Sequence, residues 1–170
     1  MTRKGFAVPM LLGIAVLGTL TGCSPPRAGY TGITVDEDGR PLGVMIVCEG
    51  HIDGATLYDS DHPNAPDHLG RWSRGKPAKG FTTWSLETGG RGWNPEVPTA
   101  TLEPHRTYDL YGWTEDSSWS AASVEFTAAQ VERLVPGLVR YYKGDGAGTD
   151  RNGYATVPME KFRSEACRQE

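Results

Sequence analysis

No stretch of this 170-residue chain carries the roughly 20 consecutive apolar residues that a helix needs to cross the hydrocarbon layer of a membrane. The longest candidate, Phe6 to Leu20, has 15 residues and contains Pro9, Gly13 and Gly18, so it is too short and too broken for a permanent span. Basic charge is scarce as well. Seventeen Lys and Arg face 21 Asp and Glu, for a net charge of −4, which leaves no clustered cationic footprint for nucleic acid.

Catalytic context is also missing. Ser73-Arg74-Gly75-Lys76 formally satisfies Ser-x-x-Lys, but Gly70, Gly75 and Pro77 bracket a serine that should open a helix. No Ser-Asp-Asn or Lys-Thr-Gly element accompanies it, and Gly-x-Ser-x-Gly is absent. The run Asp145 to Gly153 has the flavour of a calcium loop, yet position 159, where an EF-hand needs Glu, is Met. Gly144, Gly146 and Gly148 are not followed by the Gly-Lys-Ser/Thr of a phosphate loop. No internal repeat of fixed period is present. An enzyme is therefore not expected.

What is present begins at the N-terminus. Arg3 and Lys4, the apolar run and small residues before a cut have the layout of a secretory signal peptide. The run closes on Leu20-Thr21-Gly22-Cys23, which resembles a bacterial lipobox at each of its positions. The resemblance implies cleavage before Cys23, a lipid on its sulfur and often a further acyl chain on the freed amine. Two chains suffice for stable anchoring where one does not. The expectation is a signal peptide over residues 1–22, a lipidated tether over 23–31 and one domain over 32–170. The chain is then a lipoprotein of the cell membrane, on its extracytoplasmic face, with the covalent lipid as its sole cofactor.

With Cys23 assigned to lipid by that resemblance, Cys48 and Cys167 remain as an even pair in an oxidising compartment. A disulfide between them is expected, the alternative being two buried free thiols. Loss of Arg3 and Lys4 takes the mature chain to −6, which disfavours its body lying flat on anionic lipid.

Further along, Gly32–Val35, the Asp38-Gly39 turn and Pro41–Glu49 read as a hairpin. Leu42, Val44, Ile46 and Cys48 share one face of its second strand and Met45 and Val47 the other, as in an interior strand. A weak strand over 55–58 precedes a long loop, Asp59 to Pro77. Strand character returns over Gly80–Glu87, and a turn-rich loop follows from Thr88 to Pro98. Leu102, Pro104 and Tyr108, leading into the alternating Asp109-Leu110-Tyr111-Gly112-Trp113, resemble the tyrosine-corner segment of fibronectin type III and related immunoglobulin-like sandwiches. The resemblance implies a tyrosine hydroxyl bonded back across the turn. Ser120–Phe126 reads as a partner strand. Thr127 and Gln130 form a capping box for a helix of about two turns ending at Pro136-Gly137. Leu138–Tyr142 reads as a last strand, and Met159–Arg168 as a terminal helix. The fold class expected is mainly all-β, an immunoglobulin-like β-sandwich with one or two short helices near the C-terminus.

Two features could carry function. Trp72, Trp93 and Trp119 fall in or beside the expected loops, where apolar rings mark binding surfaces or else cover the ends of a sandwich, whereas Trp84 and Trp113 fall in expected strands, where core packing is the default reading. Asp59, Asp61, His62, Asp67 and His68 form the densest group of metal-ligating residue types, with no fixed ligand spacing. The expected function is a non-enzymatic binding or assembly module at the envelope, with an envelope protein or cell-wall glycan as partner. The alternatives are a metal- or substrate-handling loop over Asp59–His68 and a purely structural envelope component.

Overall fold

A computed structural model describes residues 24–62, 68–97, 99 and 101–168. Residues 1–22, expected to be a signal peptide, and the expected lipidation site Cys23 lie outside the described residues, as does Asp67. Among the described residues no helix is long and apolar enough to cross a membrane.

The chain is mainly β. Its strands are β1 (Arg27–Val35), β2 (Pro41–Asp59), β3 (Gly70–Ser85), β4 (Trp93–Val97), β5 (Thr107–Trp113), β6 (Ser120–Ala122), β7 (Val124–Thr127), β8 (Leu138–Tyr142) and β9 (Tyr154–Pro158). Two short helices, α1 (Ala128–Glu132) and α2 (Met159–Glu165), lie toward the C-terminus, and a 3-10 turn at Ala166–Arg168 extends the second. All nine strands join one hydrogen-bonded network in the order β4-β3-β2-β5-β6-β1-β8-β9, with β7 on β5. An additional β1–β2 ladder closes β1, β2, β5 and β6 into a ring. The strands thus do not divide into two separately bonded sheets.

The length of β2 makes this closure possible. Its first half pairs with β1 (Gly29 opposite Val47) and its second half with β5 (Leu57 opposite Leu110), while β3 follows both. A register shift between Val47 and Ile52 bends β2 where it changes partner. Because alternate residues point to opposite faces, β2 feeds two cores. Met45 and Val47 enter the larger one with Ile33, Leu57, Leu110 and Phe126. Val44 and Ile46 enter a smaller one with Tyr30, Tyr141, Val157 and Phe162 of α2. The Cys48–Cys167 disulfide, Cα to Cα 5.5 Å, joins β2 to the 3-10 turn at the edge of that smaller core.

Two local devices read from sequence are in place. Thr127 Oγ1 accepts from the Gln130 amide, and Gln130 Oε1 accepts from the Thr127 amide, which caps α1. The Tyr108 hydroxyl accepts from the Glu103 amide at 2.6 Å and so fixes the entry to β5. Other boundaries move. The tether expected over 23–31 runs into β1, which starts at Arg27. The loop expected over 59–77 gives way to the first limb of β3 from Gly70, because the second half of β2 offers it a partner. Within the expected loop 88–98, β4 pairs with that limb. The Ser120–Phe126 strand is two strands, since β6 leaves β5 to pair in parallel with β1. Helix α1 stops at Glu132, and β9 forms a hairpin with β8.

Candidate functional site: an aromatic groove on β5

Strand β5 turns Tyr108, Leu110 and Gly112 into the larger core and leaves Thr107, Asp109, Tyr111 and Trp113 half-exposed on its outer face. Gly112 has to be small, because a Cβ there would meet the Met45, Ile52 and Ala121 side chains. On the outer face the cross-strand neighbours are Tyr58 opposite Asp109, Thr56 opposite Tyr111 and Gly54 opposite Trp113. The indole of Trp113 lies over Gly54, in the space a side chain would take. Its Nε1–H donates to Thr56 Oγ1 at 2.8 Å, and the Arg71 guanidinium sits 4.2 Å from the ring centroid while bonded to Glu96 at 2.8 Å. The ring is therefore held flat along the sheet. Tyr58 and Tyr111 stack with centroids 5.7 Å apart, and His68 meets Tyr58 edge-on at 4.9 Å.

Trp119 closes one side of the same surface from the turn after β5. Its amide donates to Thr114 Oγ1 at 3.0 Å, and its ring occupies the space beside Gly50. Between Tyr111, Trp113 and Trp119 opens a groove of about 420 Å³, whose polar lining includes Asp109, Ser120 and Ser123. That volume lies in the usual range for small-ligand sites, about 300–1,000 Å³. The groove shares Asp109 and Tyr111 with a hollow beside Tyr58, and Pro25 and Ser123 with another beside Tyr142 and Tyr154. Together they form a continuous aromatic band.

Asp109 is the charged residue lining the groove itself. Burial pushes its carboxyl above the ordinary range, Ser123 opposes that through a hydrogen bond, and Glu125, paired with it across β7, adds repulsion. Its Oδ1 is buried and accepts no hydrogen bond among the described residues. Burial and the neighbouring Tyr58 hydroxyl, 3.5 Å away, raise the Tyr111 phenol. Burial pushes Tyr154 up to about 12. Such a surface offers apolar ring faces, phenol and serine hydroxyls and one unused acceptor. That combination suits a ligand with apolar C–H faces and hydroxyl edges.

The residues singled out by sequence fall differently. Trp72 and Trp93 are 0% and 1% exposed; Trp93 stacks on Trp84 at 4.3 Å and Trp72 is tilted against it at 6.1 Å, so they are core rings and not loop-tip rings. They point inward because 70–79 and 93–97 are strands whose alternation directs them there. Only Trp119 of that trio reaches a groove. In the acidic loop, Asp59 is buried and bonded to His62 and Arg106, each at 3.2 Å. Against the burial that opposes them, these groups and the Asp61 amide keep its carboxyl low. Asp61 accepts from the Thr107 amide at 2.9 Å, and His68 is turned toward Tyr58. Among the described residues no three His, Cys, Asp or Glu side chains gather as metal ligands. Sequence reading missed Tyr58, Asp109 and Tyr111 and gave Trp113 to the core. The available signal was alternation, since Trp113 shares parity with Asp109 and not with Leu110. Set against known proteins, the chain matches no family model, no curated protein and no solved structure.

Proposed function

We propose that this chain is a lipid-anchored, extracytoplasmic binding module of the cell envelope, non-enzymatic, which recognises cell-wall glycan through the aromatic groove on β5. The observation that carries the reading is the coincidence, on one outer face, of half-exposed rings with an unpartnered carboxylate oxygen. Pyranose rings present C–H faces to aromatic planes and hydroxyl donors to acceptors. The Asp109 carboxylate and the Ser120 and Ser123 hydroxyls that line the groove would accept such donors.

Anchorage rests on the Leu20–Cys23 segment, and the Cys48–Cys167 bridge is in keeping with an oxidising compartment. Pro25, two residues beyond Cys23, lines the groove. At about 3.3–3.6 Å per residue, the groove would then open within about 7 Å of the lipidated residue. The ligand would be met at the membrane surface. Kinship of the scaffold with immunoglobulin-like sandwiches is supported by the Tyr108–Glu103 bond and by no wider feature.

The test is retention of the chain on purified wall glycan, comparing native protein with Tyr111→Ala and Trp119→Ala. Both rings are half-exposed, so the domain should still fold. Loss of one stacking platform should weaken retention by about tenfold, roughly 1–1.5 kcal/mol for an aromatic contact. Equal retention of native and variant protein would refute the groove.

A further inference from the structure

A second surface, separate from the groove, is built around Arg74. Strand β3 bends near Gly80 (φ 65°), so that Arg74 from its first limb and Thr82 from its second come together. Arg74 Nη1 donates to Thr82 Oγ1 at 3.3 Å and to the Arg91 carbonyl at 3.2 Å, and its Nε donates to the Lys76 carbonyl at 3.0 Å. The guanidinium lies 5.0 Å from the centroid of the buried Trp93 ring, whose Nε1–H donates to the same Thr82 Oγ1 at 3.0 Å. Every partner of this cation is neutral. Among the described residues the other half-buried or buried arginines, Arg71, Arg106 and Arg140, each pair with a carboxylate, and Arg74 does not.

Among the described residues its Nη2 group has no acceptor, and Arg74 lines a cleft of about 300 Å³ together with Lys79, Arg91, Thr82, Thr83 and Phe81. Lys79, Arg91 and the adjacent Lys76 are exposed and form no ion pair among the described residues. Burial pulls the Arg74 pKa below its ordinary value, as expected for a cation desolvated without a counter-charge. A chain of net charge −4 thus gathers cations in one cleft and supplies them no carboxylate.

We propose that the cleft of Arg74, Lys79 and Arg91 binds a phosphate group. A guanidinium held by neutral partners keeps its two Nη2 hydrogens for phosphate oxygens, and the flanking exposed cations add charge without orientation. Threonine hydroxyls on the wall can donate to the remaining oxygens. The site rests on β3 and β4 alone and is independent of the glycan reading. Two sources share this chemistry. Gly29 pairs with Val47 and Val47 with Gly80, which puts the cleft about two strand spacings, roughly 10 Å, from the start of β1. A lipid headgroup at an anchoring membrane would therefore be in reach, as would a soluble phosphate.

The experiment titrates the purified chain with inorganic phosphate at low ionic strength, followed by calorimetry. In parallel, retention on phosphatidylglycerol vesicles is compared with retention on phosphatidylcholine vesicles, which cancels any apolar contribution. Native protein is set beside Lys79→Gln/Arg91→Gln, a double variant of exposed side chains outside the packed structure, and beside Arg74→Lys, which keeps charge and loses the fork. The expected result is saturable binding weakened about tenfold or more in the double variant, with its melting temperature unchanged, and weakened also by Arg74→Lys. Phosphate binding with no difference between vesicles assigns a soluble phosphate; variant-sensitive preference for phosphatidylglycerol assigns a headgroup. Absence of both, or binding equal in native and double-variant protein, overturns the site.

Discussion

Removing the Cys48–Cys167 bridge by Cys48→Ala/Cys167→Ala should test how the two cores are held together. The bridge spans 119 positions of sequence, so it closes most of the domain into one loop. For a loop of that length the lost freedom of the unfolded chain amounts to about 5 kcal/mol. The total stability of a domain is only about 5–15 kcal/mol, so the bridge would carry a third of it or more. At about 2–4 °C per kcal/mol for a chain of this size, the melting temperature should fall by about 10–20 °C. Opposing this, Phe162 and Ala166 are fully buried in the smaller core, and Phe162 meets Tyr141 edge-on at 5.0 Å. Burial of the Phe162 side chain is worth about 1.5–3 kcal/mol, which is less than the bridge supplies. The prediction is therefore a large drop that remains one cooperative transition. Differential scanning calorimetry of native and double-variant protein measures it. A shift below about 5 °C would refute the loop-entropy argument, since the docked helix would then be holding itself. Two alkylatable thiols on the native protein would refute the bridge.

Two further predictions follow from single groups. Tyr108→Phe deletes the acceptor of the Glu103 amide and should cost about 1–3 kcal/mol in urea unfolding; an unchanged midpoint would mean that the corner is ornamental. Asp109→Asn should stabilise the protein at pH 7. Burial raises the folded-state pKa of Asp109 above its unfolded value, so its favourable contribution is complete below the unfolded value and is lost as pH rises through the folded one. At neutral pH the ionised carboxylate opposes folding, and the neutral amide does not. The gain over native protein should shrink on acidification toward the ordinary carboxyl range; a variant less stable than native at pH 7 would contradict this.

Much of the fold was legible where a local device decides the backbone. The Asp38-Gly39 turn holds Gly39 at φ 79°, a conformation glycine tolerates, and it joins β1 to β2 as expected. The Thr127–Gln130 box starts α1, and the extent of Met159–Arg168 matches α2 with its 3-10 turn. What escaped sequence reading depends on distant partners. The first limb of β3, Gly-Arg-Trp-Ser-Arg-Gly-Lys-Pro-Ala-Lys, has the composition of a loop. It is a strand because the second half of β2 lies beside it. Strand β9 is five residues ending in Pro158, and its pairing with β8 crosses a glycine-rich connection. No local signal in either segment overrides its turn-forming residues.

The candidate site was misread for a reason that also explains how the two proposed surfaces are built. Proximity to Gly and Pro predicts exposure for Trp72 and Trp93, and a place in a strand predicts burial for Trp113; the structure reverses both. Position along the chain does not set exposure in a strand; parity does. Trp72, Trp84 and Trp93 pack together inside because their strands turn them there, whereas Trp113 lies outside on the parity of Asp109 and Tyr111. The buried rings still bear on the surface. Trp93 shares Thr82 Oγ1 with Arg74 and lies beneath its guanidinium, so a core ring positions the cation that borders the phosphate cleft. On the opposite logic Arg71, already neutralised by Glu96, covers Trp113 and immobilises a groove ring. Two cation–ring pairs of similar geometry thus end in different chemistry. The difference is the carboxylate, which is present beside Arg71 and absent beside Arg74.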